Sequence, residues 1–302
     1  KLTYYEGGAI ANWNNLFDYA SEGVIEAGIT VSAIASGKNS AFDPIGTLPT
    51  YLTPHERRIW IYEAGGLELC QEMFAQYDIF ALPLAVQPLE GGFRTAKVQI
   101  RELSDFKGLQ LRGFGKIEKL VLEALGATQV SMGQGDAYTA LQTGVIDGAD
   151  LGPISDDWNM GFQEVAPFVS TPSWYAVGDH FFLLINMDAW NALPNHLKAM
   201  IETAAAATCE RATAMFFYQD MTGAQQWEDY GTTVVPLSDA ALDRIQEEVA
   251  KAIEAEAAAN PDFKRIVKSQ LEFLKLSTSF NDSYPRRFSN GLGVPVVWPQ
   301  LD

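Results

Sequence analysis

One arginine stands apart among the residues whose chemistry could define a site. Residues 107–115 read KGLQLRGFG, so Arg112 lies at the end of a short apolar run that predicts a core strand. A guanidinium buried there is costly unless a negative group pairs with it. Two partners are open at this point: an acidic side chain of the protein, or an anionic ligand that the protein binds.

The common signatures of catalysis and of metal binding are absent from the sequence. Gly113 and Gly115 begin a pattern like a dinucleotide-binding loop, but Glu118 stands where the third glycine belongs. No P-loop, nucleophile elbow, HExxH or EF-hand pattern occurs, and the three histidines lack metal-ligand spacing. Cys70 and Cys209 are interpreted as buried thiols, with a disulfide left open. These absences favour binding over catalysis.

The composition excludes two classes of partner. Lys and Arg total 21 against 38 Asp and Glu, which gives a net charge of −17. Such a chain repels nucleic acid and anionic membrane surfaces, so any positive charge that meets an anionic ligand must be local. No run approaches the roughly 18 apolar residues of a membrane helix. No signal peptide is visible, and the start at KLTYYEGG is that expected of a processed or truncated chain.

Strand-like and helix-like segments alternate along the 302 residues. The predicted strands are 1–5, 79–86, 108–113, 127–132, 145–150, 181–186 and 232–237. The predicted helices are 13–28, 55–77, 116–126, 136–144, 195–229, 239–260 (capped by Ser238) and 262–276.

This alternation predicts an α/β protein with largely parallel sheets covered by helices. The helix at 195–229 would extend about 50 Å, too long for one compact domain, so we expect it to run along two. Ligands of such folds bind in a crevice at the carboxyl ends of strands, often between domains.

Residues 103–150 resemble the solute-binding proteins of tripartite ATP-independent periplasmic (TRAP) transporters. The family pattern is approximately L-x-G-L-K-[IL]-R-x-x-G, then LGA, Y-x-A-L-x-x-G and [VI]-I-D-G. Its elements occur here in order, at 108–115, 125–127, 138–144 and 146–148. Similar segments occur before this region, at 37–49 (where Asn39 and Ser40 replace Asp and Pro), and after it, at 161–175 and 183–205. The resemblance therefore covers most of residues 5–230.

The resemblance implies a two-domain fold like that of periplasmic binding proteins, with a ligand cleft between the domains and a long helix spanning both. Domain I would comprise 1–90 and 178–215, with the family's first strand and helix missing before residue 1. Domain II would comprise 91–177 and 216–285, and residues 286–302 would form a C-terminal tail.

Within the family, the segments LEGGFRT, GPISDDWNMGF and TPSWY are most similar to the subgroup that binds 2-oxo acids, some with a bound cation. Two residues depart from that subgroup at the positions expected to hold the metal. Leu89 or Glu90 occupies the position of a glutamine, and Ala176 that of a glutamate. We therefore expect no metal and no other cofactor.

The resemblance also implies a set of ligand-binding residues, with Arg112 forming a bidentate pair with a ligand carboxylate. Gly113 and Gly115 would let the chain pass close to that carboxylate. The expected binding residues are Arg112, Trp174, Tyr175, Phe114, Glu90, Gln134 and Asp150. For the aromatic residues core packing stays open, and for the acids, Asp157 included, a solvated position stays open. Asp147 is interpreted as a turn or cap residue and His180 as a buried histidine with satisfied hydrogen bonds.

The function implied is that of a periplasmic receptor without catalytic activity. It would close around a small 2-oxo, 2-hydroxy or aromatic monocarboxylate and deliver it to the membrane permease subunits of a TRAP transporter. An α/β enzyme acting on an organic acid and a ligand-sensing module are the alternatives. A homodimer through residues 277–302 is a further expectation.

Overall fold

The computed structural model describes residues 2–46, 48, 52–176 and 178–283, without the side chains of Gln134 and Asp282. The predicted tail at 286–302 lies outside these residues, as does most of the segment proposed to form a homodimer.

One sheet has three strands in the order β1, β8, β2. They are β1 (Ala27–Val31), β2 (Ile79–Val86) and β8 (His180–Asn186). Both outer strands run antiparallel to β8, with Gly28 opposite Leu184 and Ala81 opposite Leu184 on the other side. The prediction of largely parallel sheets is therefore wrong here, because β8 comes from a distant part of the chain and enters the sheet in the opposite direction.

The second sheet has six strands in the order β5, β4, β6, β3, β7, β9. They are β3 (Arg94–Thr95), β4 (Gln110–Arg112), β5 (Thr128–Val130), β6 (Gly148–Ala149), β7 (Phe168–Thr171) and β9 (Thr233–Pro236). Strand β4 is parallel to β5 and β6, and β7 is parallel to β9. Strand β3 is antiparallel to both of its neighbours, β6 and β7.

Helices cover both sheets. They are α1 (Leu16–Ser21), α2 (Phe42–Ile45), α3 (Pro54–Glu63), α4 (Gly66–Ala75), α5 (Lys116–Ala124), α6 (Gln134–Thr143), α7 (Ile154–Asn159), α8 (Met187–Asn191), α9 (Asn195–Tyr230), α10 (Asp239–Ala259) and α11 (Pro261–Ser283). Ser238 caps α10 as predicted, its Oγ accepting a hydrogen bond from the amide of Ala241.

The structure corrects the predicted elements mainly near the amino terminus. Residues 2–5 form no strand, and the helix predicted over 13–28 is reduced to α1 because its last residues enter β1. The helix predicted over 55–77 is two helices, separated where Gly65 adopts a φ of 79°. That conformation favours glycine and ends the first helix.

The long helix α9 connects the two sheets. Its middle contacts β2, where the hydroxyl of Thr213 accepts a hydrogen bond from the amide of Val86 over 3.0 Å. Further along, Asp220 Oδ1 accepts from the amide of Ser155 in α7 over 2.9 Å. A side chain at Gly223 would approach Ser155 Cα to 3.0 Å, so the glycine permits this close packing. The prediction of one helix that runs along both halves is confirmed.

Two apolar clusters form the core. The larger includes the mutually packed rings of Phe17, Phe42, Phe74 and Tyr77 beneath the three-stranded sheet. The smaller lies around α6 and the end of α9, with members Leu141, Ile146, Phe162 and Trp227 among others. Cys70 and Cys209 are buried free thiols, as interpreted from the sequence. Among the described helices, none combines the length and apolar character that a membrane span requires.

Candidate functional site

A cavity of about 570 Å³ lies where strands of both sheets end. Arg112 is the last residue of β4 and Asp150 follows β6, which is parallel to β4, so both side chains arrive at the same edge. The other lining residues include 12–14, Val31, Ala33 and Ile34 at and after the end of β1, and Gln87 and Glu90 after β2. The cavity is thus built where the predicted crevice was expected.

Arg112 is 1% exposed, and its donors are partly used by the main chain. Nε donates to the carbonyl oxygen of Met132 over 3.3 Å, and Nη1 donates to the carbonyl oxygen of Asp150. Nη2 has no hydrogen-bond partner among the described residues. The Cζ atom of the guanidinium also lies 4.1 Å from the centre of the Phe114 ring. This cation–π contact favours the observed orientation of the guanidinium.

The glycines that flank Phe114 make room for acidic side chains of the protein itself. A Cβ on Gly113 would lie 2.1 Å from Glu118 Oε1, and one on Gly115 would lie 3.3 Å from Asp43 Oδ1. Glu118 Oε2 accepts a hydrogen bond from the amide of Phe114 over 3.0 Å. These glycines therefore allow a close approach of Glu118 and Asp43, and their approach to a ligand carboxylate stays a prediction.

Glu90 and Asp150 form a pair of carboxyl groups within hydrogen-bonding reach of each other. Burial and the neighbouring Asp150 raise the pKa of Glu90 well above its usual range. Burial also raises the pKa of Asp150, against lowering by Glu90, Arg112 and Tyr175. Because the two groups are buried side by side, ionisation of one opposes ionisation of the other, and they titrate as a pair.

Glu118 and Tyr175 extend this buried polar wall. Burial and Asp150 raise the pKa of Glu118, while the Phe114 amide and Arg112 lower it in part. Burial, with the carboxyl groups around it, raises the pKa of Tyr175, so its hydroxyl stays protonated. That hydroxyl lies near the Asp150 carboxylate but makes no hydrogen bond of normal geometry with any described residue.

Arg94 is a second buried cation that the sequence analysis did not select. It forms an ion pair with Asp157, and both side chains are 2% exposed. Its guanidinium stacks 3.7 Å from the centre of the Trp227 ring. Burial raises the pKa of Asp157 to about 7 although Arg94 lowers it. A solvated position for Asp157 is excluded, and the pair is structural because neither residue lines the cavity.

The structure brings five of the seven predicted binding residues to the cavity wall: Glu90, Arg112, Phe114, Asp150 and Tyr175. Trp174 is not among the lining residues. It packs beside Tyr175, at 5.3 Å between ring centres, and near Phe93. Gln134 begins α6 between two lining glycines, and its side chain lies outside the description.

Two residues outside the binding set also have clear positions. Asp147 Oδ2 accepts a hydrogen bond from the amide of Gln110 over 2.8 Å, which ties β6 to β4 and fits a structural role. His180 is 1% exposed, but neither ring nitrogen has a hydrogen-bond partner in the described part of the chain. The interpretation of His180 as a satisfied histidine is therefore wrong. Burial and nearby Arg57 lower the pKa of His180, so the ring is neutral.

Several lining residues were missed because nothing in their sequence context marks them. They include Trp13, Gln87, Glu118, Asp179 and Phe181. In the sequence, Glu118 is an ordinary polar residue near the start of a helix, and Asp179 is one just before a strand. Strands β2 and β8 belong to one sheet, and β4 and β6 to the other. The lining residues meet at one cavity only because the chain crosses between these sheets.

Residues 1–260 match the family profile of the bacterial extracellular solute-binding proteins, family 7. The chain belongs to this family of TRAP transporter solute-binding proteins.

Relatives agree with this assignment. The chain is 28% identical over 286 residues to a monocarboxylate 2-oxoacid-binding periplasmic protein of a Nostoc species, covering 93% of this chain and 77% of that protein. It is 26% identical to a TRAP solute-binding protein of Bordetella bronchiseptica, with a TM-score of 0.87 over 93% of this chain and 83% of that one. That structure has calcium and picolinate in one site and a second site that is apo.

A solute-binding protein of Colwellia psychrerythraea, solved with calcium and pyruvate, has 28% identity and a TM-score of 0.81, covering 89% of this chain and 82% of its own. The two-domain periplasmic binding fold predicted from the sequence is confirmed. The domain boundaries stay predictions.

This chain differs from the family pattern at one position expected to hold a cation. Ala176 lines the cavity where the family resemblance expects a glutamate, and it offers no side-chain oxygen. The amide of Glu90 donates to the carbonyl oxygen of Ala176 over 3.4 Å, so Glu90 is the neighbouring acid. Its carboxyl group lies beside that of Asp150. Within the described part of the chain, no cluster of at least three His, Cys, Asp or Glu side chains is arranged to hold a metal ion.

Proposed function

We propose that this protein is the periplasmic receptor of a TRAP transporter and that it captures a small organic carboxylate in the cavity beside Arg112. The observation that carries the proposal is the buried guanidinium of the lining residue Arg112, whose Nη2 has no hydrogen-bond partner among the described residues. A buried cation with a free donor is costly until an anion reaches it, so the site is preorganised for a carboxylate.

The geometry of Arg112 selects how the carboxylate binds. Nε has one hydrogen, which it gives to Met132, so a bidentate pair through Nε is not available. The carboxylate instead meets the end of the guanidinium, through Nη2 and the second hydrogen of Nη1. The similar proteins of Nostoc, Bordetella and Colwellia, whose ligands are 2-oxo acids or picolinate, support this ligand class.

The receptor acts by closing on its ligand and reopening at the permease, without chemical change of the ligand. Closure is a shift of population, so the ligand must bind the closed form more tightly than the open form. An enzyme acting on an organic acid is the alternative function. Conversion of a bound acid at substoichiometric protein concentration would favour that alternative.

A thermal-shift screen over 2-oxo, 2-hydroxy, 2-amino and aromatic carboxylates tests the proposal. A binding acid raises the free energy of unfolding by RT ln(1 + [L]/Kd), about 2.7 kcal/mol when its concentration is a hundred times Kd. We expect at least one carboxylate to stabilise the protein and its uncharged amide to have no effect. Absence of stabilisation by every carboxylate, or equal stabilisation by the amide, would contradict the proposal.

A further inference from the structure

The cavity holds a surplus of acids around its cation. Among its described lining residues, Arg112 is the one cation, whereas Glu90, Glu118, Asp136, Asp150, Asp156 and Asp179 are acids. A ligand carboxylate neutralises Arg112 and leaves this surplus uncompensated. Charge balance in the closed site therefore requires protons on the acids, or a positive group on the ligand.

Carboxyl oxygens predominate among the hydrogen-bonding atoms near Arg112, with the Tyr175 hydroxyl as a donor beside them. Glu90 Oε2 and Asp150 Oδ1 are buried without a hydrogen-bond partner among the described residues. Asp150 is 5% exposed and lines the cavity, so its free oxygen is desolvated by the protein. A buried unpaired acceptor costs about 1–3 kcal/mol, more when it is charged, until a donor reaches it.

This pattern discriminates among acids that differ at the carbon beside the carboxylate. The oxygen of a 2-oxo acid is only an acceptor, so it can accept from the Tyr175 hydroxyl but offers no hydrogen to the oxygens of Glu90 and Asp150. A 2-hydroxyl group supplies one donor hydrogen. A 2-ammonium group supplies three donor hydrogens and the positive charge that the acids lack.

Part of the cavity lining is apolar. It comprises Trp13, Val31, Ile34 and Phe181, with the rings of Trp13 and Phe181 in an edge contact at 6.3 Å. The volume of about 570 Å³ is in the range of cavities that take ligands larger than a three-carbon acid. A larger apolar or aromatic body fits this wall.

We propose that the ligand is a zwitterionic 2-amino acid with an apolar or aromatic side chain. Its carboxylate is held by Arg112, its ammonium by Glu90 and Asp150, and its side chain by the wall that contains Trp13 and Phe181. This assignment rests on the proposed receptor function and narrows its ligand. The positive charge that calcium provides in the Bordetella and Colwellia proteins is supplied here by the ligand itself.

The test compares acids that share one side chain. L-phenylalanine, L-phenyllactate and phenylpyruvate, and the corresponding leucine series, are titrated by calorimetry into protein treated with EDTA. We expect the amino acid of at least one series to bind about tenfold or more tightly than its 2-oxo analogue, with the hydroxy acid between them.

Two isosteric variants then locate the ammonium. Glu90→Gln and Asp150→Asn should each weaken binding of the amino acid by about tenfold or more and change binding of the 2-oxo analogue by less than about threefold. Glu202→Gln, on the exposed surface of α9, is the matched control and should behave as wild type. If one variant fails to fold by circular dichroism, the other carries the test.

Several results would overturn the assignment. These are tighter binding of a 2-oxo acid, binding of a 2-oxo acid only after calcium is added, and an amino-acid affinity unchanged in both variants. Failure of all six acids, with binding of another carboxylate in the wider screen, would remove this assignment and leave the receptor function intact. Failure of every carboxylate would remove both.

Discussion

The Nε atom of Arg112 donates to the carbonyl oxygen of Met132 over 3.3 Å and fixes the direction in which the guanidinium faces the cavity. Met132 follows β5, and Arg112 ends the neighbouring strand β4, so the sheet itself sets this distance. The free Nη2 is consequently held in place before any ligand arrives. Such preorganisation reduces the entropy lost on binding.

The first prediction concerns replacement of this arginine. Arg112→Lys should weaken binding of the best carboxylate by at least about 2–3 kcal/mol, because lysine cannot bond Met132 and the ligand in the same geometry. Arg112→Ala should lose at least as much. Calorimetry measures both affinities.

Arg211→Ala, at an exposed position of α9, is the control for loss of one positive charge. It should bind like wild type because the charge lies on the solvent face. Unchanged affinity in Arg112→Lys, or an equal loss in Arg211→Ala, would show that the guanidinium does not hold the ligand.

The sequence was sufficient for elements whose pattern is local. The periodicity and absence of proline predict α9 correctly, and the run at 79–86 matches β2. The antiparallel entry of β8 between β1 and β2 was not predictable, because strand direction depends on crossings over more than a hundred residues. The break at Gly65 was missed because a glycine pair is compatible with either a continuous helix or two helices.

In the candidate site, too, residues with a local sequence signal are predictable and residues that depend on distant partners are not. Arg112 was selected because a cation at the end of an apolar strand is locally anomalous. Arg94 has the same anomaly, but its partner Asp157 lies 63 residues away, so its pairing inside the protein was not visible. Glu118 was noted only as a departure from a nucleotide loop, and the structure places it against Gly113 at the cavity.

The second prediction concerns the Arg94–Asp157 ion pair. Asp157→Ala should lower the free energy of unfolding by about 3–5 kcal/mol, because Arg94 is left buried beside Trp227 without its carboxylate. Urea denaturation measures the change. The double variant Arg94→Met/Asp157→Leu should be more stable than Asp157→Ala. A loss of stability in the double variant equal to the sum of the losses in its two single variants would contradict a coupled pair.

The third prediction concerns metal ions. Treatment with EDTA should leave carboxylate affinity unchanged within about twofold, because Ala176 provides no side-chain ligand atom where the family resemblance implies a glutamate. Calorimetry with and without EDTA, followed by added calcium, measures this. Ala176→Glu is the complementary variant, because it introduces the glutamate that the family resemblance implies at this position. A loss of affinity after EDTA in the wild type, restored by calcium, would show a cation in the site.

The last prediction concerns stability and pH. Burial raises the pKa of Asp179 from 3.8 to about 7, although the His180 amide and Arg57 lower it in part. The folded protein therefore keeps a proton that the unfolded chain releases between these values. The stabilisation is complete below the unfolded pKa and is lost as the pH rises through about 4 to about 7, at up to about 1.4 kcal/mol per pH unit for one proton.

In the wild type, the His180 amide donates to Asp179 Oδ1 over 2.7 Å. Asp179→Asn removes the proton uptake but keeps a side-chain oxygen that can accept this hydrogen bond. Its free energy of unfolding should fall less steeply than that of wild type between pH 5 and pH 7, as urea denaturation at each pH would measure. Asp243→Asn, at an exposed position of α10, should retain the wild-type slope. Parallel curves for Asp179→Asn and wild type would mean that Asp179 ionises in the folded protein as it does in the unfolded chain.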